Sequence, residues 1–577
     1  MLTVTALLLA TLIAKERPWE AEYTVAFERG GDVHRAVVTA RFHWRGGGSA
    51  PDSLELSFLG DSSSPSLDSF VRDAQARRAQ GDTPDENAVT QSGNSLNIPV
   101  RRDGTAMVLY TIELGHADGE SNRSYDETPR RLEGFDFWTG RSLFAVPGGV
   151  SGRVTFETND DDVVTTSLPP SGKSGFSFSE ETELCETFLT AGVAARPVKI
   201  GRSTIQIQID AALGQDAGVI AAQLERYFET ADDVLGAPPP DRSVIVVQKG
   251  PQGLLDGSMI GHDASAVVPS AGNDETHWRR LMCHELFHLY NGFLLRLDDR
   301  NMWFSEGFTE YFTHRLLADS GDLSSDSFLH ELKDWVKDYS HEAGEIGLQE
   351  AGNLGAKNNT LIYKGGALTA LILDIRLRQA SRGKRSLEDV MKALLSECLP
   401  GRKKVSRAKL EELVHQIGGK STQGFFETHI EGNTRLPIED ELAAIGLAVT
   451  NDEIALPAMQ DVAVKLILCP GMTIEPTGIR IQRTSAKGLE AEDLLVEVAG
   501  KSVRDWTSLQ MALARFEPGD DVPMVVERQG KRRKVAIELG GRGETIERET
   551  RRVVDIEVKP LRDRRAKAIR EAIFKIE

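Results

Sequence analysis

The stretch Cys283-His284-Glu285-Leu286-Phe287-His288-Leu289-Tyr290-Asn291-Gly292 contains the pattern His-Glu-x-x-His. On an α-helix, residues four apart lie on one face, so His284 and His288 can direct their imidazoles at the same ion. Two imidazole nitrogens on one helical face suit Zn²⁺. Glu285 stands beside the first histidine, where it can act as a general base toward water held by that ion. The competing interpretation of the bare motif is a core helix with two hydrogen-bonded histidines.

A second segment, Trp303-Phe304-Ser305-Glu306-Gly307-Phe308-Thr309-Glu310-Tyr311, follows after a short polar loop. Glu306 can supply a third protein ligand and leave the fourth position open, as in catalytic rather than structural zinc sites. Glu310 lies one helical turn later, and two interpretations of it are open. It hydrogen-bonds the far nitrogen of a ligand histidine, or it is a solvent-facing helical glutamate. The two segments together predict one Zn²⁺ per chain, held by His284, His288 and Glu306.

These residues resemble the gluzincin metallopeptidases, in which His-Glu-x-x-His is followed by a glutamate on the next helix. The Trp-x-x-Glu-Gly-x-Thr-x-Tyr context of residues 303–311 is similar to that of the glycyl aminopeptidase family and its leucyl and alanyl aminopeptidase relatives. The family carries a tyrosine in Tyr-x-Lys-Gly or a near variant, and Tyr363-Lys364-Gly365-Gly366 matches it. The resemblance implies that Tyr363 hydrogen-bonds the oxyanion of the tetrahedral intermediate, which is chemistry that suits a phenol donor.

The resemblance further implies a zinc-dependent peptidase, of aminopeptidase type, acting on a peptide or protein substrate. One departure concerns the Gly-x-x-Glu element whose glutamate binds the free α-amino group of the substrate. The matching stretch, residues 256–263, reads Asp-Gly-Ser-Met-Ile-Gly-His-Asp and has no glutamate. Asp256 or Asp263 can take its place, or no residue does. An endopeptidase on the same scaffold and a non-catalytic peptide-binding scaffold are therefore alternatives, although the intact Glu285 argues against the second.

Length, charge and cysteine content narrow the class of protein. A chain of 577 residues is too long for one core and suggests three to four domains. Its formal net charge of −19 argues against a nucleic-acid partner, because phosphate binding needs a concentrated basic surface. The four cysteines form no Cys-x-x-Cys pair, which argues against a thiolate metal site or redox dithiol.

The first fourteen residues (MLTVTALLLATLIA) are apolar and are followed by Lys15-Glu16-Arg17. The run is too short to span a bilayer, and no integral membrane span is expected. It resembles the hydrophobic region of a signal peptide, without the usual preceding basic residues. We therefore expect residues 1–17 to be a signal or anchor segment and the protein to be periplasmic or secreted. The alternative is a first strand or helix of a cytoplasmic protein.

The hydrophobic pattern predicts a multidomain α+β protein. Residues 18–180 form the predicted N-terminal β-rich domain, a sandwich or saddle, with alternating runs at 23–27, 36–44 and 107–114. Residues 181–455 form the predicted catalytic domain, which by resemblance is thermolysin-like, with a small sheet and an α-helical subdomain facing each other across the metal.

Within the catalytic domain we predict strands at 204–209 and 243–247 around a helix at 219–235. Residues 264–268 are predicted to be an edge strand, to which an extended peptide can add its backbone. Helical spacing then recurs at residues 327–339, 360–379, 387–395, 408–417 and 422–429.

Residues 465–541 resemble a bacterial PDZ domain, with Gly-Leu-x-x-x-Asp at 488–493, Val-x-Gly at 498–500 and Pro-Gly-Asp at 518–520. A PDZ domain binds an extended peptide or C-terminus by strand addition, and a packing module is the alternative. The usual carboxylate-binding loop has only a poor candidate at 471–474. Residues 542–577 mix both charge signs and are predicted to be a charged tail with a solvated helix. One face of that helix is expected to dock through Ala568, Ile569, Ile573 and Phe574.

Overall fold

Several sheets and many helices make up the computed structural model, so the predicted multidomain α+β class is confirmed at that level. The structure describes residues 18–30, 33–59, 71–76, 89–114, 129–159, 161–172, 175–214, 217–250, 256–269, 275–297, 301–399, 404–475, 477–540 and 545–576. The predicted signal segment, residues 1–17, lies outside these ranges. Among the described helices, none combines the length and apolar character that crossing a bilayer requires.

The N-terminal part is built around a seven-stranded sheet whose alternation follows from the sequence. In its strand Trp19–Gly30, Tyr23 and Val25 are buried whereas Glu20 and Glu22 are exposed, because successive side chains point to opposite faces. The strands of the sheet, in spatial order, are Pro170–Ser171, Gly175–Phe178, Val150–Glu157, Trp19–Gly30, Val33–Trp44, Thr105–Glu113 and Val71–Ala76.

Two smaller sheets and two short helices complete this part. One sheet has the strands Ser53–Ser57, Ser95–Pro99 and Thr90–Ser92. The other has Val163–Thr166, Phe188–Gly192, Phe135–Thr139 and Arg130–Arg131. The helices are Gly140–Leu143 and Glu181–Cys185. The predicted strands at 23–27, 36–44 and 107–114 all fall in the seven-stranded sheet.

A five-stranded sheet lies under the metal helix, and its order is Arg196–Ile200, Ser203–Ile209, Arg242–Gly250, Asp263–Pro269 and Asp256–Ile260. The helix Ala217–Leu235 connects its second and third strands, which are parallel. Arg242–Gly250 is covered on both faces, and this explains its continuous apolar run. Val244 and Val246 pack toward Phe135 of the N-terminal part, whereas Ile245 and Val247 belong to the catalytic core.

The prediction of an edge strand at residues 264–268 is wrong. Asp263–Pro269 is an inner strand, paired with Arg242–Gly250 on one side and with Asp256–Ile260 on the other. A tight turn at Gly261, whose φ is +59°, folds Asp256–Ile260 back onto the outside of the sheet. That outer strand, called the edge strand below, lacks the apolar alternation by which a strand is recognised in sequence.

The helical part begins with the metal helix, Glu275–His288, and the glutamate helix, Met302–Asp319. The cleft helix, Ser325–Glu342, follows. A π-helical turn at Leu361–Gly365 then runs directly into the helix Gly366–Ala380, and together they are called the tyrosine helix. The remaining helices and helical turns of this part are Leu348–Leu354, Ala356–Asn358, Leu387–Cys398, Arg407–Gly418, Gly419–Thr422, Glu427–Glu431 and Ile438–Ala443, and a short helical turn at Ala211–Leu213 follows the second strand of the five-stranded sheet.

The glutamate helix and the tyrosine helix cross with their backbones in contact. A Cβ atom on Gly307 would lie 2.2 Å from the Cα of Gly366, so no side chain fits at this crossing. The contact brings the π turn, and the side chains of Tyr363 and Lys364 on it, close to the residues of the glutamate helix.

A two-stranded antiparallel ribbon, Leu447–Pro457 with Arg548–Val558, joins the last unit to the catalytic part. Between these strands lies a sheet of Gly471–Glu475, Gly478–Arg483, Leu494–Val498, Asp521–Arg528 and Lys531–Glu538, with Lys501–Ser502 beside Leu494–Val498. The helical segments here are Met459–Asp461, Val462–Leu466 and Trp506–Leu513. Residues 471–474, the poor candidate for a carboxylate-binding loop, lie in the first of these strands and are not a loop.

The prediction for the C-terminal residues is correct in part: the helix is present and Ile569, Ile573 and Phe574 dock as expected, but the residues before the helix are not a solvated tail. Residues 548–558 are a ribbon strand, and the C-terminal helix, Arg564–Phe574, buries Ile569, Ile573 and Phe574 in the catalytic core. Ala568, predicted to dock, is exposed, and Ala566 docks instead. Most of the charged side chains lie on the outer faces of these elements, although Arg570 is buried and donates to the carbonyl oxygen of Lys559. The predicted domain boundaries otherwise stay predictions.

Candidate metal centre and active site

The metal helix and the glutamate helix bring His284, His288 and Glu306 together. Nε2 of His284 lies 3.1 Å from Nε2 of His288, and Oε2 of Glu306 lies 3.4 and 3.2 Å from these two nitrogens. Ligands of a tetrahedral zinc ion with bonds near 2.0–2.1 Å are separated by roughly 3.3 Å. Two imidazole nitrogens and one carboxylate oxygen at this spacing fit Zn²⁺ and leave its fourth position open.

The Nδ1 atoms of both histidines lie within hydrogen-bonding distance of an acceptor, as is usual for histidines that bind a metal through Nε2. Nδ1 of His284 lies 3.2 Å from Oε2 of Glu310, and Nδ1 of His288 lies 3.2 Å from the carbonyl oxygen of Asn291. Donation from Nδ1 to these acceptors leaves the Nε2 lone pairs directed at the cluster. Glu310 is buried at 6% exposure, so its interpretation as a solvent-facing glutamate is wrong.

Asn291 was not identified from the sequence. Its Nδ2 donates to the carbonyl oxygens of Phe304 and Ser305 and to Oγ1 of Thr309, each at 3.2 Å. Asn291 therefore ties the end of the metal helix to the start of the glutamate helix while its own carbonyl oxygen holds His288. The one available signal is its position three residues after a ligand, just past the end of the helix.

The electrostatics of the cluster favour a bound cation. Burial lowers the pKa of His284, but hydrogen bonds to Glu306 and Glu310 outweigh this effect and raise that pKa to about 10. Burial raises the pKa of Glu306, but the charge of His288 and hydrogen bonds to both histidines hold it well below its usual value. The surrounding carboxylates thus stabilise positive charge at the point where the three ligand atoms meet.

Glu285 borders a cavity of about 460 Å³ together with His284 and Tyr363. The edge strand passes directly against it at Gly257. A Cβ atom there would lie 2.9 Å from Cγ and 3.1 Å from Oε1 of Glu285. The glycine therefore lets the edge of the sheet approach the predicted base and the cavity.

Tyr363 reaches the cluster from the π turn. Its ring stacks on the imidazole of His284, with 5.9 Å between centroids and 21° between planes. Burial, together with the charge and hydrogen bond of Glu306, raises the pKa of Tyr363. The phenol therefore keeps its proton at neutral pH and is available as a donor.

The two aspartates proposed as replacements for the missing glutamate have different environments. Asp263 is fully buried and accepts hydrogen bonds from Ser167 Oγ at 2.6 Å and from the backbone N–H groups of Phe188 and Val244, both at 2.7 Å. Asp263 thus has a structural role and does not line the cavity. Asp256 lines the cavity, where it accepts the N–H of Gly257 at 3.0 Å.

Three further charged residues on the cavity wall were not identified from the sequence. Nζ of Lys364 lies 3.2 Å from Oε1 of Glu310, and Nη1 of Arg280 lies 2.6 Å from Oε1 of Glu331 on the cleft helix. Asp338 enters the wall from the same cleft helix. Arg280 precedes His284 by one helical turn, which is a usable signal, but no local pattern indicates that Asp338 reaches the cavity.

The sequence model of the M61 glycyl aminopeptidase family matches residues 277–353. This segment contains both histidines, Glu285 and Glu306, and ends before Tyr363. Together with the geometry of the cluster, the match defines the class of the protein as a zinc-dependent, aminopeptidase-like metallopeptidase.

Among solved structures, the chain is similar to an aminopeptidase N family protein from Idiomarina loihiensis. The identity is 17%, the alignment covers 95% of this chain and 99% of that one, and the TM-score is 0.65, so the two share a fold. An M1 zinc metallopeptidase from Deinococcus radiodurans is 18% identical over 73% of this chain and 94% of its own, with a TM-score of 0.43. No curated protein sequence matches the chain.

Proposed function

We propose that the protein is an aminopeptidase of glycyl-aminopeptidase-like type that holds one Zn²⁺ through His284, His288 and Glu306. The observation that carries the proposal is the spacing of the three ligand atoms, 3.1–3.4 Å, with Nδ1 of each histidine occupied by a separate acceptor. This donor set with an open position is the catalytic rather than the structural type.

Each neighbouring side chain then has one chemical role. Bound zinc supplies Lewis acidity, which activates water and polarises the scissile carbonyl. Glu285 accepts a proton from the attacking water and returns it to the amine that leaves. Tyr363 donates a hydrogen bond from its phenol O–H to the oxyanion of the tetrahedral intermediate. The edge strand Asp256–Ile260 offers its outer backbone to the extended substrate, as in strand addition.

Glu285→Gln tests the base. We expect this variant to bind zinc as the wild type does and to lose on the order of a hundred- to ten-thousandfold in kcat, the usual contribution of general base catalysis. Wild-type turnover would refute the assignment of Glu285. Tyr363→Phe should lower kcat more than it raises KM, because the oxyanion exists only during the reaction.

An endopeptidase is the second candidate, and it is favoured by the presence of Ile260 where an amine-binding glutamate is expected. In the Gly-x-x-Glu register that starts at Gly257, Ile260 stands in place of the amine-binding glutamate, and its side chain is buried beside Phe135 and Phe188. An aminopeptidase would have to hold the substrate amine through another group, and Asp256 on the cavity wall is the one that we propose.

A mixed pool of free and N-acetylated peptides distinguishes these functions. The products are identified by mass, and Glu285→Gln serves as the control for contaminating activity. Stepwise loss of N-terminal residues from free peptides alone is the expected result. Internal cuts, or equal cleavage of blocked peptides, would make the protein an endopeptidase. No cleavage by zinc-loaded protein would favour a non-catalytic scaffold.

We further propose that residues 465–541 are a PDZ-like unit that captures an extended peptide or a C-terminus. The strand Gly471–Glu475 supports this proposal because it ends the path of the sheet and exposes Ile474. Binding of peptides with free and with amidated C-termini to the whole chain tests it. A unit that serves only for packing would bind neither. Export to the periplasm or outside the cell stays a prediction from residues 1–17.

A further inference from the structure

Lys364 makes a contact that the proposed chemistry does not use. Its Nζ lies 3.2 Å from Oε1 of Glu310, and the other oxygen of the same carboxylate lies 3.2 Å from Nδ1 of His284. The Glu310 side chain is 8% exposed and the Lys364 side chain is 24% exposed. A continuous chain of contacts therefore leads from the ammonium group to a predicted zinc ligand.

We propose that Lys364 is a positioning residue of the zinc site, which fixes the Glu310 carboxylate and through it the imidazole of His284. The inference rests on the proposed zinc site. It concerns how firmly that site holds its metal, not which substrate is cleaved.

The physical reason is the geometry of the carboxylate. With one oxygen on His284 and the other on Lys364, the Glu310 carboxylate is held in one plane and cannot rotate about its terminal bond without losing a contact. If Lys364 is removed, Oε1 is left in a buried environment without its cationic partner, and such an acceptor seeks another donor. The hydrogen bond that orients His284 would then weaken.

The burial of this pair distinguishes it from ion pairs on the surface. An exposed lysine–carboxylate pair contributes little, because water and salt screen it. The Glu310 carboxylate is almost wholly buried, so its interaction with Lys364 is screened less. Outer partners of metal-bound histidines typically change metal affinity or activity by about ten- to a hundredfold when they are removed.

The local backbone supports the same role. Lys364 follows Tyr363 on the π turn Leu361–Gly365. The tyrosine ring stacks on the face of His284, and Lys364 acts on its Nδ1 through Glu310. One turn of chain thus acts on the same imidazole in two ways, directly through Tyr363 and indirectly through Lys364 and Glu310, and π turns of this kind recur at functional sites.

The test measures zinc loss to a chromophoric chelator, with no substrate present, for wild type, Lys364→Met and Lys364→Arg. We expect Lys364→Met to lose zinc up to about tenfold faster, the lower end of the effect of removing a direct partner such as Glu310, and to show a lower kcat at an unchanged KM. Lys364→Arg, which keeps a donor and a positive charge, should restore most of both values. If Lys364→Met does not fold, Lys364→Gln gives the same measurement with a polar side chain.

Lys333→Met is the matched control, because Lys333 also pairs with a carboxylate, 2.6 Å from Oδ1 of Asp555, but away from the cavity. It should lose zinc at the wild-type rate. In the Glu310→Gln background, Lys364→Met should add little further effect, since the lysine acts through Glu310.

Wild-type zinc loss in Lys364→Met, or full additivity with Glu310→Gln, would overturn the proposal. Because zinc loss is measured without substrate, a wild type that binds zinc but cleaves no peptide would refute the peptidase and not this role of Lys364. A wild type that binds no zinc would refute both.

Discussion

Gly307→Ala should damage catalysis far more than it damages folding. The new Cβ would lie 2.2 Å from Cα and 2.4 Å from the carbonyl carbon of Gly366, which are backbone atoms that cannot rotate away. Carbon atoms in contact normally lie about 3.5–4.0 Å apart, so the two helices must separate by more than about 1 Å. Glu306 is the preceding residue on one helix, and Tyr363 lies three residues before Gly366 on the other.

The size of each effect can be estimated. Overpacking a tight core contact costs typically about 1–3 kcal/mol, and the better helix propensity of alanine offsets about 1 kcal/mol of that cost. We therefore expect a net loss of at most about 2 kcal/mol in the free energy of unfolding. A displacement of about 1 Å between reacting groups can reduce turnover by about a hundredfold. Most molecules of the variant should be folded, zinc-loaded and slow.

The assay compares wild type, Gly307→Ala and Gly148→Ala by urea unfolding, zinc content and steady-state kinetics on one peptide. Gly148 is the matched control because a Cβ atom there meets no other atom within 4 Å. It should behave as the wild type in all three measurements. A kcat in Gly307→Ala that is unchanged, or that falls only as far as the folded fraction falls, would refute the argument that this crossing positions Tyr363 against the metal ligands.

Three further predictions concern the edge strand, the bound metal and the C-terminal helix. Gly257→Ala should push against the Glu285 side chain and lower kcat while zinc content stays at the wild-type value; unchanged kinetics would show that the edge strand can move aside. Removing zinc with a chelator should lower the thermal unfolding midpoint, and added zinc should restore it, because the ion binds only the folded site. Phe574→Ala should destabilise the catalytic part by about 3–5 kcal/mol in urea unfolding, since that side chain is fully buried. A change below about 1 kcal/mol would mean that the C-terminal helix is a dispensable tail.

The grouping of the candidate metal ligands could be predicted from the sequence because it follows local rules. His284 and His288 are four residues apart on one helix, and the helical period alone places them together. Glu306 required the additional assumption that the next helix packs against the first, which the family resemblance supplied. Glu310 was limited to two alternatives, and only its burial against Nδ1 of His284 decided between them.

Residues that act across longer distances could not be predicted in this way. Asp263 and Asp256 stand seven positions apart in one stretch, but the turn at Gly261 separates them, so that one is buried in the structure and the other lines the cavity. Because of the same turn, the outer strand of the sheet is Asp256–Ile260, whose sequence lacks the alternation of a strand. In the sequence, Lys364 is only one residue of a matched motif. Its contact with Glu310 depends on the close packing of the glutamate helix and the tyrosine helix, which the spacing of apolar residues does not indicate.

The C-terminal residues belong to the catalytic core for the same reason. Arg315 of the glutamate helix donates to the carbonyl oxygen of Ala572, and Phe574 packs against Phe328 with 4.9 Å between ring centroids. The chain therefore leaves the catalytic part through one ribbon strand, forms the sheet-containing unit between the ribbon strands, and returns through the other strand to pack behind the helix that carries Glu306. Because both connections of the unit lie side by side, its attachment to the ribbon is fixed at two points of the chain. A truncation that removes the C-terminal helix would thus remove part of the support of the helix that carries Glu306, a predicted metal ligand.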